Sequence, residues 1–278
     1  MTDTVAQAIR DAAARLADTG DTARLDAELL MAHVVKVSRS ELLLLHMNRD
    51  ARPHLASFDR FVERRARHEP LAYLLGSQEF FGLELAVTPD VLIPRGDSET
   101  IVRAALEAAP RARRVIDLGT GSGALLLAFL SERSVAEGVG VDASAGALGV
   151  AAHNASALGM GGRAQFIKRD WTQRGWADGL GQFDLVLCNP PYVEDDAALD
   201  PDVRDYEPAA ALFAGPEGLD DYRVIIPQLG KLLLPGGVAV LEIGHLQAES
   251  VGDIARESGF SVELKRDLAG RSRALVLT

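Results

Sequence analysis

The sequence predicts an α/β protein in which a small helical bundle precedes a parallel, doubly wound sheet. Apolar side chains recur at helical spacing through residues 1–74, where proline and glycine are rare. Apolar and polar residues then alternate over 76–94, which indicates a β-hairpin. From about residue 97 strand and helix patterns alternate, which is typical of a parallel sheet with helices on both faces.

The first part of the chain contains segments such as LDAELLMAHVV, in which apolar residues fall at helical spacing. Ser40 precedes the apolar run ELLLLH and is predicted to cap its helix. Gly82 lies in the middle of the hairpin that follows, and Pro94 ends it. We therefore predict a helical substrate-recognition domain over 1–74, a linking β-hairpin over 75–95 and an α/β domain over 96–278.

The α/β domain is predicted to contain seven strands and four helices. The predicted strands are 113–118, 138–142, 164–170, 183–188, 237–243, 260–266 and 273–278. The predicted helices are 124–133, 145–159, 220–235 with a proline inside it, and 246–258. In a doubly wound sheet the fourth strand lies beside the first, and ligands bind where the carboxyl ends of these strands meet.

Composition and charge exclude several classes of protein. The chain has 278 residues and a net charge of −11, and residues 1–75 are neutral with eleven basic and eleven acidic side chains. The remaining acidic part repels phosphate backbones, so we expect no direct nucleic-acid partner. No apolar segment approaches the ~20 residues of a membrane helix. The one cysteine excludes an internal disulfide, and no Cys and His cluster has zinc spacing. We expect a soluble, cytoplasmic protein without a membrane partner or metal.

A glycine loop and an acid at the next strand end predict a nucleoside cofactor. Gly119, Gly121 and Gly123 follow the first predicted strand, where glycine lets the backbone turn sharply and approach a ligand. Asp142 ends the next strand, 23 residues after Gly119, where a carboxylate can accept hydrogen bonds from both ribose hydroxyls. No Gly-Lys-Ser/Thr follows, so the loop is not a Walker P-loop.

Two cofactors fit this pattern, and further residues favour S-adenosylmethionine. The loop formally satisfies the G-x-G-x-x-G/A pattern of a nicotinamide-dependent dehydrogenase. Asp117, two residues before the loop, could instead meet the amino group of S-adenosylmethionine or tie down the loop backbone. In KRDW, Asp170 could accept from the adenine amine. Trp171 could stack on the adenine or pack in the core.

The sequence FDLVLCNPPY ends a predicted strand on an asparagine followed by two prolines and a tyrosine. The Asn189 carboxamide oxygen can accept one hydrogen of an NH2 group, and the carbonyl of Pro190 can accept the other. Pro190 and Pro191 stiffen the loop, and Tyr192 supplies an aromatic face against a flat amide or base. Asn-Pro-Pro is also compatible with a simple strand-ending turn. Cys188, just before it, is predicted to be a small buried hydrophobe.

The combination of NPPY with DLGTGSG resembles class I methyltransferases that modify planar NH2 groups. Longer segments are similar to the peptide chain release factor glutamine N5-methyltransferases across nearly the whole chain. They are EPLAYLLGSQEFFGLELAVTPDVLIPRGDSE, DYEPAAALFAGPEGLDDYR, LEIG and DLAGRSRAL. The chain departs from the family at Gly96, where the family usually has proline.

This resemblance implies a fold and an activity. The fold is a Rossmann-like class I methyltransferase domain with a seven-stranded, mostly parallel sheet, preceded by a helical domain and a hairpin. The activity is methyl transfer from S-adenosyl-L-methionine to the glutamine of the Gly-Gly-Gln motif in bacterial class I release factors, with S-adenosyl-L-homocysteine as product. Such an enzyme supports translation termination.

The resemblance also implies the site residues. By match of motif, the cofactor would lie against Gly119, Thr120, Gly121, Ser122, Gly123, Asp142, Trp171 and Asn189. We add Asp117 and Asp170 to this set because of their positions before the loop and in KRDW. The acceptor glutamine and the catalysis would depend on Asn189, Pro190, Pro191 and Tyr192. The same Asn-Pro-Pro-Tyr suits an exocyclic amino group of adenine or guanine, so a nucleic-acid N-methyltransferase is the alternative. The acidic catalytic domain favours a protein substrate over nucleic acid.

Overall fold

A computed structural model describes residues 4–278, which form two compact units. The helical unit comprises the chain up to Ser77 together with Leu199–Tyr206. The sheet unit comprises Gln78–Ala198 and Glu207–Thr278. Among the described residues, no helix is long and apolar enough to span a membrane.

The described part of the chain contains the α-helical segments that follow. They are α1 Val5–Arg15, α2 Ala23–Val35, α3 Arg39–Glu41, α4 Arg52–Arg65, α5 Leu71–Leu75, α6 Glu99–Ala108, α7 Ala124–Glu132, α8 Ala145–Ala157, α9 Pro201–Tyr206, α10 Asp220–Ile225, α11 Leu229–Leu232 and α12 Ala248–Glu257. A π-helical turn, Leu42–His46, follows α3.

The strands form a hairpin and a larger sheet. They are β1 Ser77–Phe80, β2 Leu83–Ala86, β3 Arg114–Leu118, β4 Glu137–Asp142, β5 Ala164–Lys168, β6 Phe183–Cys188, β7 Leu233–Glu242, β8 Val262–Arg266 and β9 Ser272–Leu277. β1 pairs with β2, and the other seven strands are ordered β5-β4-β3-β6-β7-β9-β8. The predicted α/β class with a seven-stranded, mostly parallel sheet is confirmed.

The strand order changes direction next to β3: β4 and β5 lie on one side of it, and β6 to β9 lie on the other. β3 pairs in parallel with both β4 and β6, whereas β9 runs antiparallel to β7 and β8. The fourth predicted strand therefore lies beside the first, as expected. Alternate side chains of the central strands point to opposite faces, because successive residues of a strand project to opposite sides. Leu185 and Leu187 enter one core with α6 and α7, and Val186 and Cys188 enter the other with α10 to α12.

The helical unit has a core of its own. Residues of α1, α2 and α4 supply most of it, including the fully buried Ile9, Leu30 and Phe58. Asp26 and Arg65 form a buried ion pair with 2.7 Å between Oδ2 and Nε. The N-cap of α3 is Ser38, whose side chain accepts from the Glu41 N–H, so the prediction that Ser40 is the cap was wrong.

Several predicted elements differ from the structure. The predicted helix 220–235 is interrupted because Pro227 has no backbone N–H, and a 3-10 turn, Ile226–Gln228, separates α10 from α11. That helical region ends at Leu232, where β7 begins. The hairpin pairing ends at Ala86 and not near Pro94, since Pro89 in the segment between has no backbone N–H to donate. The helices α6 and α9 were not predicted.

Candidate active site

A cavity of about 350 Å³ lies at the carboxyl ends of β3, β4 and β6, where the sheet reverses direction. Many of the predicted site residues line this cavity, and all of them belong to the sheet unit. They are Asp117, Gly119, Thr120, Gly121, Ser122, Asp142, Trp171, Asn189 and Pro191. The remaining predicted residues, Gly123, Asp170, Pro190 and Tyr192, do not line it. The position agrees with the rule that ligands of such sheets bind at the switch point.

The loop after β3 is shaped by glycines in the left-handed region. Gly119 has φ 72°, and Gly123, which precedes α7, has φ 84°. A Cβ atom at Gly119 would lie 3.0 Å from the Trp171 ring, so a larger residue there would displace the indole. The Gly119 and Thr120 N–H groups both donate to the Val141 carbonyl, which joins the loop to β4.

Asp142 ends β4 and is half-buried at the edge of the cavity. Its Oδ2 accepts from the Gly121 N–H at 2.9 Å, and its Oδ1 accepts from the Ser144 N–H at 2.8 Å. These bonds fix the carboxylate between two loops. Each oxygen keeps a second lone pair, so the group can still accept hydrogen bonds from a ligand's hydroxyls.

Asp117 lies deeper in the cavity and is fully buried. Its Oδ2 accepts from the Thr120 hydroxyl at 2.6 Å, whereas its Oδ1 has no partner among the described residues. Burial, with a smaller contribution from the charge of Asp142, raises the pKa of this carboxyl to about 7, although the hydrogen bond from Thr120 opposes the shift. Asp117 is bonded to the Thr120 side chain of the loop and lines the cavity, and its contact with the amino group of the cofactor stays a prediction.

Trp171 follows β5 and is partly buried. Its ring lines the cavity and also packs against the core below the sheet, as the second of its two predicted roles requires. Stacking on the adenine stays a prediction. The indole N–H donates to Asp221 Oδ1 at 2.5 Å, which fixes the plane of the ring. Burial raises the pKa of Asp221, although this hydrogen bond opposes the shift.

Asp170 accepts hydrogen bonds from Thr172 and not from a residue that lines the cavity. Its Oδ1 accepts from both the backbone N–H and the hydroxyl of Thr172, and these bonds lower its pKa. It does not line the cavity. Its assignment to the adenine amine therefore stays a prediction.

Asn189 follows the last residue of β6 and lines the cavity beside Pro191. No hydrogen bond joins its carboxamide to another residue in the described part of the chain, so its donors and acceptor are open to a ligand. Pro190 and Pro191 are both buried and fix the following backbone. Cys188, directly before Asn189, is buried as predicted, and burial raises the pKa of its thiol.

Tyr192 lies behind this loop, with its hydroxyl directed at β7. The hydroxyl donates to Glu242 Oε1 at 3.2 Å, and the Tyr192 carbonyl accepts from Gln247 Nε2 at 3.1 Å. Burial and then the charge of Glu242 raise the pKa of the phenol. The tyrosine therefore remains neutral at physiological pH and acts as a hydrogen-bond donor.

Several residues that build this site were not assigned from the sequence. The wall segment, residues 89–95, lines one side of the cavity. The buried Glu207 carboxylate holds it by accepting from the Ile93 N–H at 3.1 Å and from Arg95 at 2.5 Å. Arg95 is thus fixed although Gly96 replaces the usual proline.

Ser98 also lines the cavity and its buried Oγ has no partner among the described residues.

The carboxyl groups of the cavity fit a nucleoside that carries a positive charge. Asp117 and Asp142 both face the cavity, and the unpaired Asp117 Oδ1 is an acceptor suited to an ammonium or sulfonium group. In the described residues, no group of three or more His, Cys, Asp or Glu side chains is placed to hold a metal ion.

Comparison with known proteins identifies the family. The model of the PrmC N-terminal domain matches residues 7–76, and that of the Methyltransferase small domain matches residues 98–205. A release factor glutamine methyltransferase of Caulobacter vibrioides is 39% identical over 99% of this chain and 96% of its own length. One from Geobacter sulfurreducens is 42% identical over 88% of this chain and 86% of its own length. The chain belongs to the release factor glutamine methyltransferase family.

A solved structure supports the fold of this family member. The catalytic domain of hMettl16, solved in complex with MAT2A 3'UTR hairpin 6, has a TM-score of 0.59 and covers 78% of this chain and 81% of that chain. At 17% sequence identity the likeness concerns the fold alone. The predicted family and the predicted class of S-adenosylmethionine-dependent methyltransferase are confirmed, and a dehydrogenase is not supported.

Proposed function

We propose that this release factor glutamine methyltransferase transfers a methyl group from S-adenosylmethionine to the side-chain nitrogen of a glutamine. The acceptor is the glutamine of the Gly-Gly-Gln motif in bacterial class I release factors, and S-adenosylhomocysteine is the second product. The names of its relatives support the substrate. The single observation that carries the chemistry is the cavity where Asn189, with its open carboxamide, lies beside the acidic floor formed by Asp117 and Asp142.

The donor side of the cavity would hold the cofactor through complementary charge and hydrogen bonds. When bound, S-adenosylmethionine supplies an electrophilic methyl group on a sulfonium. Asp142 would accept from the ribose hydroxyls with the lone pairs that the loop leaves free. Asp117 would accept from the ammonium group with its unpaired Oδ1. Trp171, whose ring plane is fixed by Asp221, would pack against the adenine.

The acceptor side would orient a poorly nucleophilic amide. The Asn189 oxygen would accept one N–H of the glutamine and the Pro190 carbonyl would accept the other, so that the nitrogen lone pair faces the methyl carbon. Orientation of this kind is worth up to ~7–11 kcal/mol in favourable cases. Both acceptors also stabilise the positive charge that develops on the nitrogen. Tyr192 does not line the cavity, so it would support the acceptor loop from behind instead of supplying the predicted surface for the amide.

The helical unit would recognise the release factor. The π-helical turn Leu42–His46 buries Leu42 in the core of the unit but leaves Leu44 81% and Leu45 63% exposed. Adjacent exposed leucines of this kind are suited to contact with another protein. An intact release factor would therefore be a better substrate than a short peptide, which must also be ordered on binding at ~1–2 kcal/mol per residue.

The proposed function is tested by incubating the enzyme and S-adenosylmethionine with an intact release factor, followed by peptide mass spectrometry. We expect one methyl group on the Gly-Gly-Gln glutamine, and none when that glutamine is replaced. Asn189→Ala should lose most of the turnover but keep much of its cofactor affinity, because the main task of Asn189 is on the acceptor. DNA and RNA serve as competing substrates. Methylated nucleic acid with an unmodified release factor would contradict the proposal.

A further inference from the structure

A buried polar cluster lies behind the acceptor loop at the end of β7. Glu242, the last residue of β7, is 1% exposed and is surrounded by Tyr192, Ser98, Asp97 and Arg273, all of which influence its pKa. Burial raises that pKa to about 7. Of the five buried side-chain atoms that lack a hydrogen-bond partner in residues 4–278, three belong to this cluster. They are Ser98 Oγ, Glu242 Oε2 and Arg273 Nε.

The Glu242 carboxyl group is held at a fixed place. The Tyr222 hydroxyl donates to the Glu242 backbone carbonyl at 2.7 Å, so the end of β7 is anchored to α10. Arg273 pairs with Asp97 at 2.8 Å, which keeps the guanidinium beside the carboxyl without a direct ion pair to it. Glu242 Oε1 is therefore a stationary acceptor for the Tyr192 hydroxyl at 3.2 Å.

The backbone around Tyr192 is fixed by other groups. The Tyr192 carbonyl accepts from Gln247, and Val193 exchanges backbone hydrogen bonds with Leu212 and Ala214. These contacts fix the backbone at Tyr192, but they do not fix the hydroxyl end of its phenol ring. Among the described residues, the hydroxyl makes one hydrogen bond, which it donates to Glu242.

Stability alone does not account for a carboxyl group at this position. Burying a carboxyl group next to a second acid, Asp97, costs free energy, whereas an apolar side chain at a strand end in the core would not. A buried acid of this kind in a native protein calls for another explanation, and function is a frequent one. Here the group touches the tyrosine of the acceptor loop and lies next to Ser98, which lines the cavity.

We propose that Glu242 is a positioning residue for the acceptor glutamine, acting through its hydrogen bond with the Tyr192 hydroxyl. The bond fixes the phenol ring behind the acceptor loop, and the ring in turn fixes the loop whose Asn189 and Pro191 line the cavity. This inference rests on the proposed function. Glu242 takes no part in holding the cofactor, so its effect is confined to the acceptor.

The test compares Glu242→Ala, Glu242→Gln, Tyr192→Phe and the double variant Glu242→Ala/Tyr192→Phe in methylation of an intact release factor. Glu242→Ala and Tyr192→Phe should each lower kcat about three- to tenfold, as expected for loss of one hydrogen bond. Glu242→Gln keeps an oxygen that accepts from the hydroxyl, so it should stay within about twofold of the wild type. The double variant should be no slower than the slower single variant, because both remove the same bond.

Two further measurements separate positioning from a general structural effect. Cofactor affinity by calorimetry should be unchanged in all four variants. Asp184→Ala is the matched control, because Asp184 lies on β6 and accepts from the Arg113 and Arg114 backbone N–H groups. It should leave kcat unchanged.

Three outcomes would overturn the inference while the proposed function stands. They are wild-type kcat in Glu242→Ala, losses that multiply in the double variant, and a Glu242→Gln variant as slow as Glu242→Ala. A wild-type enzyme that leaves the release factor unmethylated would instead contradict the proposed function itself.

Discussion

Asp117 is an acid whose charge depends on whether a cation lies beside it. It is 1% exposed, and burial raises its pKa to about 7. Near neutral pH about half of the empty molecules therefore carry a neutral Asp117. A carboxyl pKa that is raised on folding contributes stability that is fully present below the unfolded value of ~3.9 and is lost progressively as pH rises from there through 7. Ionisation of Asp117 is thus unfavourable for the empty protein and favourable for binding a cation.

We predict that the affinity for S-adenosylmethionine depends on this ionisation. If binding requires the Asp117 carboxylate, affinity should be about tenfold lower at pH 6 than at pH 8, relative to Asp117→Asn at the same two pH values. The comparison with Asp117→Asn cancels any pH dependence that comes from ionisation of S-adenosylmethionine itself, because that ionisation affects both proteins equally. Calorimetry at each pH measures the effect. An unchanged ratio between the two proteins would show that Asp117 does not titrate on binding.

Asp142 is predicted to carry much of the affinity for the ribose. Asp142→Ala removes one or two charge-assisted hydrogen bonds of ~1.5–3 kcal/mol each, so cofactor affinity should fall at least tenfold. Asp184→Ala is again a suitable control, since this acid also accepts from two backbone N–H groups but does not line the cavity. Full affinity in Asp142→Ala by calorimetry would remove this residue from the site.

The site residues that could be predicted from the sequence are those in contiguous motifs. The glycine loop, Asp142 and Asn189 each follow a strand, and parallel strands bring their carboxyl ends together. Glu207 and Glu242 carry no such signal. Glu207 meets Ile93 across 114 positions and Glu242 meets Tyr192 across 50, so neither partner can be inferred from spacing.

Helices and strands could be predicted where the spacing of apolar residues fits only one of the two. Strand β6 was predicted with its observed bounds because FDLVLC is an apolar run closed by Asn-Pro-Pro. The region 220–235 misled because Leu232 of α11 and Leu233 and Leu234 of β7 form one apolar run across the boundary. Periodicity does not separate a buried helix from a buried strand in such a stretch, and pairing of Leu233 with Phe183 decides the outcome.

The wall segment depends on one carboxylate from a distant loop. Glu207→Ala leaves the Ile93 N–H and the Arg95 guanidinium without their partner, so the free energy of unfolding should fall by about 1–3 kcal/mol. Cofactor affinity should fall too, because residues 89–95 line the cavity. Urea unfolding and calorimetry measure the two effects.

The control for this variant is Glu217→Ala. Glu217 is exposed and pairs with the exposed Arg223, and surface ion pairs of this kind contribute little. We expect stability close to that of the wild type. Equal stability of the Glu207 and Glu217 variants would mean that the wall segment does not need the buried carboxylate.

Taken together, the two units divide the tasks of the proposed enzyme. The sheet unit contains the cavity, and the helical unit contains the exposed leucines. Leu44→Asp/Leu45→Asp should raise KM for the intact release factor at least tenfold, because each buried leucine is worth roughly 1.5–3 kcal/mol. Cofactor affinity should be unchanged.

Leu268→Asp provides the matched control for the leucine variant. Leu268 is 94% exposed but belongs to the sheet unit, in the turn between β8 and β9. We expect normal kinetics with the release factor. If the Leu44/Leu45 variant also behaves like the wild type, the helical unit recognises its partner through another surface or has another purpose.

The helical unit is built from two stretches of chain that are far apart in sequence. Its last helix, α9, lies more than 120 residues beyond Ser77, and the Tyr206 hydroxyl there donates to the Arg67 carbonyl at 2.8 Å. During synthesis the unit therefore lacks α9 until residue 206 has left the ribosome. By then β3 to β6 and the Asn-Pro-Pro-Tyr loop have already emerged. We expect an N-terminal fragment ending near Ser77 to be less stable than the same segment in the complete chain.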